Sequence, residues 1–126
     1  MLLAADAFAP VLATALKSMA QHRGASLPLQ VDAFKLSHHG SQGNITSELF
    51  ACVQARHHVV STNGANFGHP EDTAIARAIL HGGRDQTMWF NHGNERNRRW
   101  SAGPLQARYG YLTRYPAELE AGVTLP

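Results

Sequence analysis

Cysteine is almost absent from this sequence, which contains a single one, Cys52. A lone cysteine excludes a framework of internal disulfide bonds as the basis of the fold, and it fits a reducing compartment such as the cytoplasm. Because Cys52 stands in an apolar stretch that reads as helical, we expect a buried, inert thiol.

The sequence also lacks long apolar runs and has only a small excess of positive over negative charge. No window reaches the roughly 18 apolar residues that a membrane span needs, and the N-terminus lacks the regions of a signal peptide. Charged residues make up 16% of the chain and hydrophobic residues 44%, with a formal net charge of +2. This composition predicts a folded, soluble, cytoplasmic chain, and its basic bias alone is too weak to predict nucleic-acid binding.

Hydrophobic periodicity predicts strands that alternate with helices. The predicted strands cover residues 2–5, 31–37, 57–62 and 87–91, with edge strands at 109–115 and 123–125. The predicted helices run from Phe8 to Gly24, from Thr46 or Ser47 through Val53, and from Pro70 to Gly82, and residues 92–104 are predicted to form a polar loop. The order β-α-β-α-β-α-β favours an α/β layered fold.

The chain begins directly on the first predicted strand, with Leu2 and Leu3 and no lead-in. This start is typical of a sequence that begins in the middle of a domain. We therefore expect residues 1–126 to form one partial domain, with further sequence upstream. Such a domain would expose an apolar surface where the rest should pack, which favours a homo-oligomer or docking of a missing N-terminal half.

Carboxylate and imidazole groups follow three of the predicted strands. Asp6 ends the first strand, His38 and His39 end the second, and His69 follows the loop after the third. Because ligands gather at the carboxyl ends of strands in open α/β sheets, we expect these residues to meet at one edge. Their chemistry suits zinc, manganese or iron.

Each of these residues also has a structural interpretation. Asp6 could cap the following helix, and His69 before Pro70 could simply begin one. His57 and His58 fall on a predicted strand, where alternation sends them to opposite faces as structural residues. We expect the remaining histidines to lie near helix ends or in loops; they are His22, His81 and His92.

Three segments in this order carry a family resemblance. They are LLAAD at 2–6, FKLSHHGS at 34–41 and VVSTNGANFGHP at 59–70. Together they resemble the C-terminal half of metallo-β-lactamase-fold hydrolases, nearest the branch found in DNA-uptake channel proteins of competent bacteria. The resemblance is strongest over residues 1–82, and it implies that the chain is the C-terminal part of an αββα sandwich.

The resemblance also implies roles for individual residues. Asp6 would bridge metal ions, either His38 or His39 would be a ligand, and His69 would lie at the rim as a ligand, a substrate contact or a helix start. Zinc is the expected metal, with manganese as the alternative, and metal-bound water would hydrolyse an ester or phosphodiester with Asp6 and His39 as catalytic residues. Ser41 and Asn66 would contact the substrate or orient a ligand.

The sequence departs from the family pattern at three points. Ala5 stands where the family has glycine, and Asn66 lies one residue nearer the glycine that follows it. The His-x-His-x-Asp-His segment that supplies most ligands of the first metal is absent. We therefore expect a half-site that is inactive in this chain alone, and a non-catalytic assembly module of the same fold is the first alternative.

A second alternative comes from the segment Arg96–Trp100. Arg98 and Arg99 beside Trp100 could grip phosphates and stack bases in a nucleic-acid-binding module. In a hydrolase, Arg98 and Arg99 would instead attract an anionic substrate. The structural interpretation is a solvated loop.

Overall fold

The computed structural model describes residues 1–65, 67–117, 120 and 122–126. The strands found there are β1 (Leu2–Leu3), β2 (Leu29–Lys35), β3 (Val53–Val60), β4 (Gln86–Phe90) and β5 (Tyr111–Arg114). The helices are α1 (Ala9–Arg23), α2 (Ser47–Phe50), α3 (Asp72–His81), α4 (Glu95–Arg98) and α5 (Gly103–Tyr109). Single 3₁₀ turns cover Ser37–His39 and Arg99–Ser101.

The strands form one parallel sheet in which spatial order equals sequence order, β1-β2-β3-β4-β5. The predicted α/β class and the predicted alternation of strands and helices are confirmed. Because parallel strands are joined by right-handed crossovers, a sheet that advances in one direction receives all its connections on the same face. This topology therefore places the helices that the structure describes on one face of the sheet.

The covered face carries the hydrophobic core. One row of paired residues crosses four strands there, namely Leu2, Phe34, His58 and Met88, and it ends on Thr113 of β5. Phe34, His58 and Met88 are fully buried. Helices α1 and α3 contribute mainly alanine, leucine and isoleucine to this core: Ala9, Leu12, Leu16, Ala74, Ile75, Ala78 and Ile79.

The opposite surface, called the open face below, includes two rows of side chains toward the carboxyl ends of the strands; the next pair on the same side, Val31 and Ala55, already packs in or against the hydrophobic core. The first row is Leu3, Lys35, Val59, Trp89 and Arg114, and the second is Ala33, His57, Thr87 and Leu112. Within the described part of the chain, the larger apolar members of these rows, Leu3, Val59, Trp89 and Leu112, lie outside the hydrophobic cluster, whereas Ala33 is buried at 4% exposure. Leu3 is 67% exposed and Leu112 is 49% exposed, so apolar side chains of this sheet face solvent.

Helix boundaries agree with the sequence in several places. Pro10 lies in the first turn of α1, and Gly24 ends that helix in a left-handed conformation. The Thr46 hydroxyl accepts a hydrogen bond from the Leu49 amide and caps α2, and Gly82 ends α3. These signals are local, which is why the sequence predicts them well.

Other predictions about the elements are wrong. Residues 92–104 are not a loop, because α4, a 3₁₀ turn and the start of α5 occupy them. Val53 belongs to β3 rather than to α2, and residues 123–125 form no strand. Cys52 is buried as expected, but it lies in the turn between α2 and β3. Pro70 precedes α3, whose N-cap is Glu71.

No helix in the described ranges combines the length and the apolar character required for a membrane crossing.

Candidate functional site

The four predicted ligands all lie at the carboxyl edge of the sheet. Asp6 follows β1, His38 and His39 form the 3₁₀ turn after β2, and His69 lies in the loop between β3 and α3. The ring centroids of His38 and His69 are 5.2 Å apart, and those of His38 and His39 are 6.4 Å apart. The sheet therefore brings the three imidazoles together as the sequence predicts; we call these residues with Asp6 the rim.

The rim has an unusual backbone. Positive φ angles at residues other than glycine occur at five described positions; two are the rim residues His38 and His39, and two more, Ala5 and Phe67, lie within two residues of Asp6 and His69 in the sequence. His38 has φ 46° and ψ 47°, and Gly40 continues the left-handed run with φ 87°. Residues other than glycine are strained in this left-handed conformation, and strained residues of this kind cluster at functional sites.

Gly40 allows the 3₁₀ turn Ser37–His39, called the histidine turn below, to lie against the loop that carries His69. A Cβ at Gly40 would come within 2.9 Å of the Pro70 Cβ. The Glu71 amide donates to the Gly40 carbonyl at 3.0 Å. Only a residue without a side chain permits both the left-handed conformation and this close approach.

The tautomer of His39 follows from its hydrogen bond. Nδ1 of His39 lies 2.5 Å from the carbonyl oxygen of Ser61. A carbonyl can only accept, so Nδ1 carries the proton and Nε2 of the neutral ring keeps its lone pair. This exposed imidazole is therefore set up to accept a proton or bind a cation through Nε2.

His38 is oriented in the same way through a residue that the sequence analysis missed, Asn44. The Asn44 amide nitrogen donates to the carbonyls of Asp6 and Ala7 at 3.2 and 3.0 Å. Its oxygen therefore faces Nδ1 of His38, at 3.3 Å, and the imidazole must donate. His38 thus also keeps a free lone pair on Nε2. Asn44 is buried, at 3% exposure, and its one sequence signal is an asparagine among polar residues just after the histidine pair.

His69 differs from the other two histidines because it is buried, with 9% of its surface exposed. Burial lowers its pKa from the ordinary value, against the opposing effect of the Glu71 carboxylate, so the neutral ring is favoured. Its Nδ1 makes no hydrogen bond and lies 3.8 Å from Glu71 Oε2. That carboxylate oxygen instead accepts from the Gln42 amide at 2.7 Å.

Asp6 is exposed, and it does not cap α1, whose N-cap residue is Phe8 without a side-chain hydrogen bond. The capping interpretation of Asp6 is therefore wrong. In residues 1–65, 67–117, 120 and 122–126, no group of three or more His, Cys, Asp or Glu side chains is placed to hold a metal ion. Two of the rim imidazoles therefore keep an unprotonated Nε2, but the described residues do not converge on a metal site.

The predicted substrate contacts are scattered. Ser41 is half-buried at the end of the histidine turn, where its amide donates to the His38 carbonyl. Asn66 falls outside the described residues. Arg98 and Arg99 lie around the short helix α4, not in a solvated loop.

The arginines of the segment Arg96–Trp100 are bound to the protein itself. Arg98 donates to the Gly93 carbonyl and lies over the ring of Tyr115. Arg99 pairs with the Asp72 carboxylate, and Arg96 donates to the Gly68 carbonyl beside His69. Trp100 packs against the hydrophobic core, which removes much of the stacking surface that the nucleic-acid alternative requires.

The chain shows no significant match to the protein-family models, curated proteins or solved structures with which it was compared.

Proposed function

We propose that this chain is the C-terminal part of a metallo-β-lactamase-like αββα sandwich, and that its rim supplies part of a divalent-metal site for hydrolysis. The substrate would be an ester or a phosphodiester, and the metal zinc, with manganese as the alternative. The catalytic residues would be Asp6 and His39. We also propose that the protein is located in the cytoplasm.

The observation that carries the proposal is the paired orientation of His38 and His39. Metal-binding histidines donate their second ring N–H to a carbonyl or carboxylate, which fixes the tautomer and leaves the other nitrogen free. Here the Ser61 carbonyl accepts a hydrogen bond from Nδ1–H of His39, and the Asn44 side-chain oxygen accepts one from Nδ1–H of His38. Two adjacent imidazoles held in the ligand tautomer on a left-handed backbone have little purpose in packing.

A metal bound at the rim would activate water and polarise the substrate. The chain's own contribution would be to hold His38 and His39 in one tautomer, and to place Asp6 and the buried His69 beside them. A catalytic zinc usually needs three protein ligands, so further ligands would come from outside the residues that converge here. An anionic substrate would meet Arg96 next to His69.

The second candidate is a non-catalytic assembly module of the same fold. Its support is the open face, where Trp89 and Val59 lie on a surface that no described helix covers. The two candidates differ in whether the rim binds metal.

Metal content tests the first proposal. The purified chain would be equilibrated with zinc, dialysed without chelator, and analysed for zinc and manganese per chain. We expect His38→Ala/His39→Ala to lose the bound metal, and His22→Ala, at the exposed end of α1, to retain it. Circular dichroism would verify that each variant stays folded.

Asn44→Ala probes the orientation of His38 separately. Loss of such a supporting residue typically weakens metal affinity by about 10- to 100-fold, so we expect a weakened but measurable zinc affinity in titrations with a competing chelator. Wild-type chain that binds no more zinc than the double histidine variant would refute the metal site and leave the assembly module as the better description.

A further inference from the structure

The chain directly after β3 keeps the hydrogen-bonding pattern of the strand. In a parallel sheet, successive carbonyls of a central strand point alternately to the strands on its two sides. The Val59 carbonyl accepts from the Leu36 amide, on the β2 side, at 2.9 Å. The Val60 carbonyl accepts from the Asn91 amide, on the β4 side, at 3.0 Å. The next carbonyl, that of Ser61, is therefore directed to the β2 side.

On the β2 side, a side chain replaces the next backbone donor. Continuation of the ladder would bring the His38 amide to the Ser61 carbonyl. The left-handed conformation of His38 turns the chain away instead, and its amide donates to the Ala5 carbonyl. The Nδ1–H of His39 takes this position, 2.5 Å from the Ser61 oxygen. The tautomer of His39 therefore depends on the direction of this single carbonyl.

On the β4 side, the side chain of Asn91 makes the corresponding replacement. In a continued ladder its backbone carbonyl would accept from the Thr62 amide, but that carbonyl accepts from the Gly122 amide at 3.0 Å. The side-chain Oδ1 of Asn91 accepts from the Thr62 amide instead, at 2.8 Å. Its Nδ2 donates to Oγ of Ser61 at 3.4 Å. An amide side chain supplies this acceptor and this donor together.

The contacts of Asn91 and His39 act on one rigid unit. The peptide bond between Ser61 and Thr62 is trans, so its C=O and N–H point in opposite directions and turn only together. Asn91 holds the N–H on one side, which directs the C=O to His39 on the other. The hydrogen bond to the N–H also polarises the peptide and makes its carbonyl a stronger acceptor.

We propose that Asn91 is a positioning residue for His39. Through the Ser61–Thr62 peptide it holds the imidazole in the tautomer with the proton on Nδ1 and the lone pair on Nε2. The tautomer of a neutral imidazole is set by the hydrogen bond that one ring nitrogen makes, so without a fixed acceptor both tautomers would be populated. The tautomer requires no metal, whereas its importance for hydrolysis rests on the proposed function.

NMR of the imidazole nitrogens measures the tautomer, because protonated and unprotonated ring nitrogens differ in chemical shift. The labelled full chain would be studied with chelator at about pH 9, where imidazoles with the ordinary histidine pKa of about 6.5 are neutral. The variants His38→Gln and His39→Gln would assign the two rings through the signals that each removes. In the wild type, both rings should carry the proton on Nδ1.

Asn91→Leu removes the acceptor of the Thr62 amide. The ratio of the Nδ1–H to the Nε2–H form of His39 should fall about five- to tenfold, as expected for the loss of one hydrogen bond of ordinary net strength. His38 is an internal reference, since Asn44 sets its tautomer, and its ratio should not change. Asn91→Asp keeps an acceptor for the Thr62 amide, so His39 should stay in the wild-type tautomer.

Asn63→Leu is the matched control. The Asn63 Oδ1 accepts from the Ala65 amide at 2.9 Å, so the substitution removes a comparable hydrogen bond from a peptide that, among the described residues, makes no hydrogen bond with His39. The tautomer of His39 should not change. Circular dichroism would verify that each variant is folded, and Asn91→Ala would repeat the test if Asn91→Leu does not fold.

Four results would overturn the proposal. They are a wild-type His39 with its proton on Nε2, an unchanged His39 ratio in folded Asn91→Leu or Asn91→Ala, equal changes at His38 and His39, and loss of the wild-type tautomer in Asn91→Asp. Failure of the metal site is a separate result. A wild-type chain that binds no zinc would contradict the proposed function and leave the measured tautomer of His39 unaffected.

Discussion

At the scale of single residues, the hydrophobic core contains a buried imidazole, that of His58. Its side chain is fully buried, and neither ring nitrogen has a hydrogen-bond partner among the residues that the structure describes. The rings of Phe34 and Phe50 surround it at centroid distances of 6.1 and 5.8 Å. Burial lowers the pKa of His58 from 6.5 to about 3, so the ring is neutral in the folded protein.

This burial predicts acid sensitivity. Below pH 6.5 the His58 imidazole binds a proton in the unfolded chain. In the folded protein it stays unprotonated until the pH falls to about 3. Across that window the free energy of unfolding should therefore fall as pH falls, by up to about 1.4 kcal/mol per pH unit from this residue.

His58→Leu should remove this contribution and raise stability at acid pH, because leucine leaves no buried polar atom. Urea unfolding between pH 7 and pH 4 measures it, with His81→Gln at the exposed end of α3 as the control. An unchanged pH dependence in His58→Leu would rule out this account.

At the scale of elements, the histidine turn is joined to the beginning of α3. Arg77 of α3 donates to the carbonyls of Gln42 and Ile45 at 2.7 and 2.9 Å. The Glu71 amide donates to Gly40, and the Glu71 carboxylate accepts from Gln42. These hydrogen bonds fix the loop after β2 against the loop that carries His69, so the position of the rim depends on this joint.

Gly40→Ala tests the joint, with Gly24→Ala as its matched control. Both glycines are left-handed, at φ 87° and 59°, but a Cβ at Gly24 meets nothing within 4 Å. The control should lose roughly 1 kcal/mol for the strained conformation alone. Gly40→Ala should lose clearly more, about 2–3 kcal/mol, because it also overpacks against Pro70. Equal losses in the free energy of unfolding for the two variants would show that the contact with Pro70 does not destabilise Gly40→Ala.

At the scale of the whole molecule, the helices that the structure describes lie on one side of the sheet. Neighbouring residues of β3 report on the two sides, since Val60 is fully buried and Val59 is half-buried on the open face. This asymmetry follows from the strand order and is independent of any function.

The two valines therefore predict different losses of stability. Val60→Ala should cost about 2 kcal/mol or more, through lost burial and a cavity. Val59→Ala should cost less than about 1 kcal/mol at protein concentrations where the chain is monomeric, because there the side chain touches water. Similar losses from the two variants in dilute solution would show that something covers the open face within one chain.

Local patterns in the chain correctly predict the alternation of elements, the start and end of α1 and the end of α3. They also place Asp6, His38, His39 and His69 after strands, as the structure does. Those features depend on local periodicity and on glycine and proline chemistry, which operate over a few residues. The same patterns fail at residues 92–104, where short helices lack a clear apolar period, and at His57 and His58, which they place at the start of a strand rather than within β3.

The strand order, the placement of the described helices on one face and the role of Asn44 depend on long-range contacts and are absent from any local pattern. Strand order and register arise from contacts between residues far apart in the chain, which no local pattern encodes. Asn44 orients His38 through carbonyls that lie 37 and 38 positions earlier in the sequence. The tautomers of the histidine pair likewise depend on which oxygen atoms folding brings beside each ring, because an imidazole of itself favours neither nitrogen strongly enough to decide.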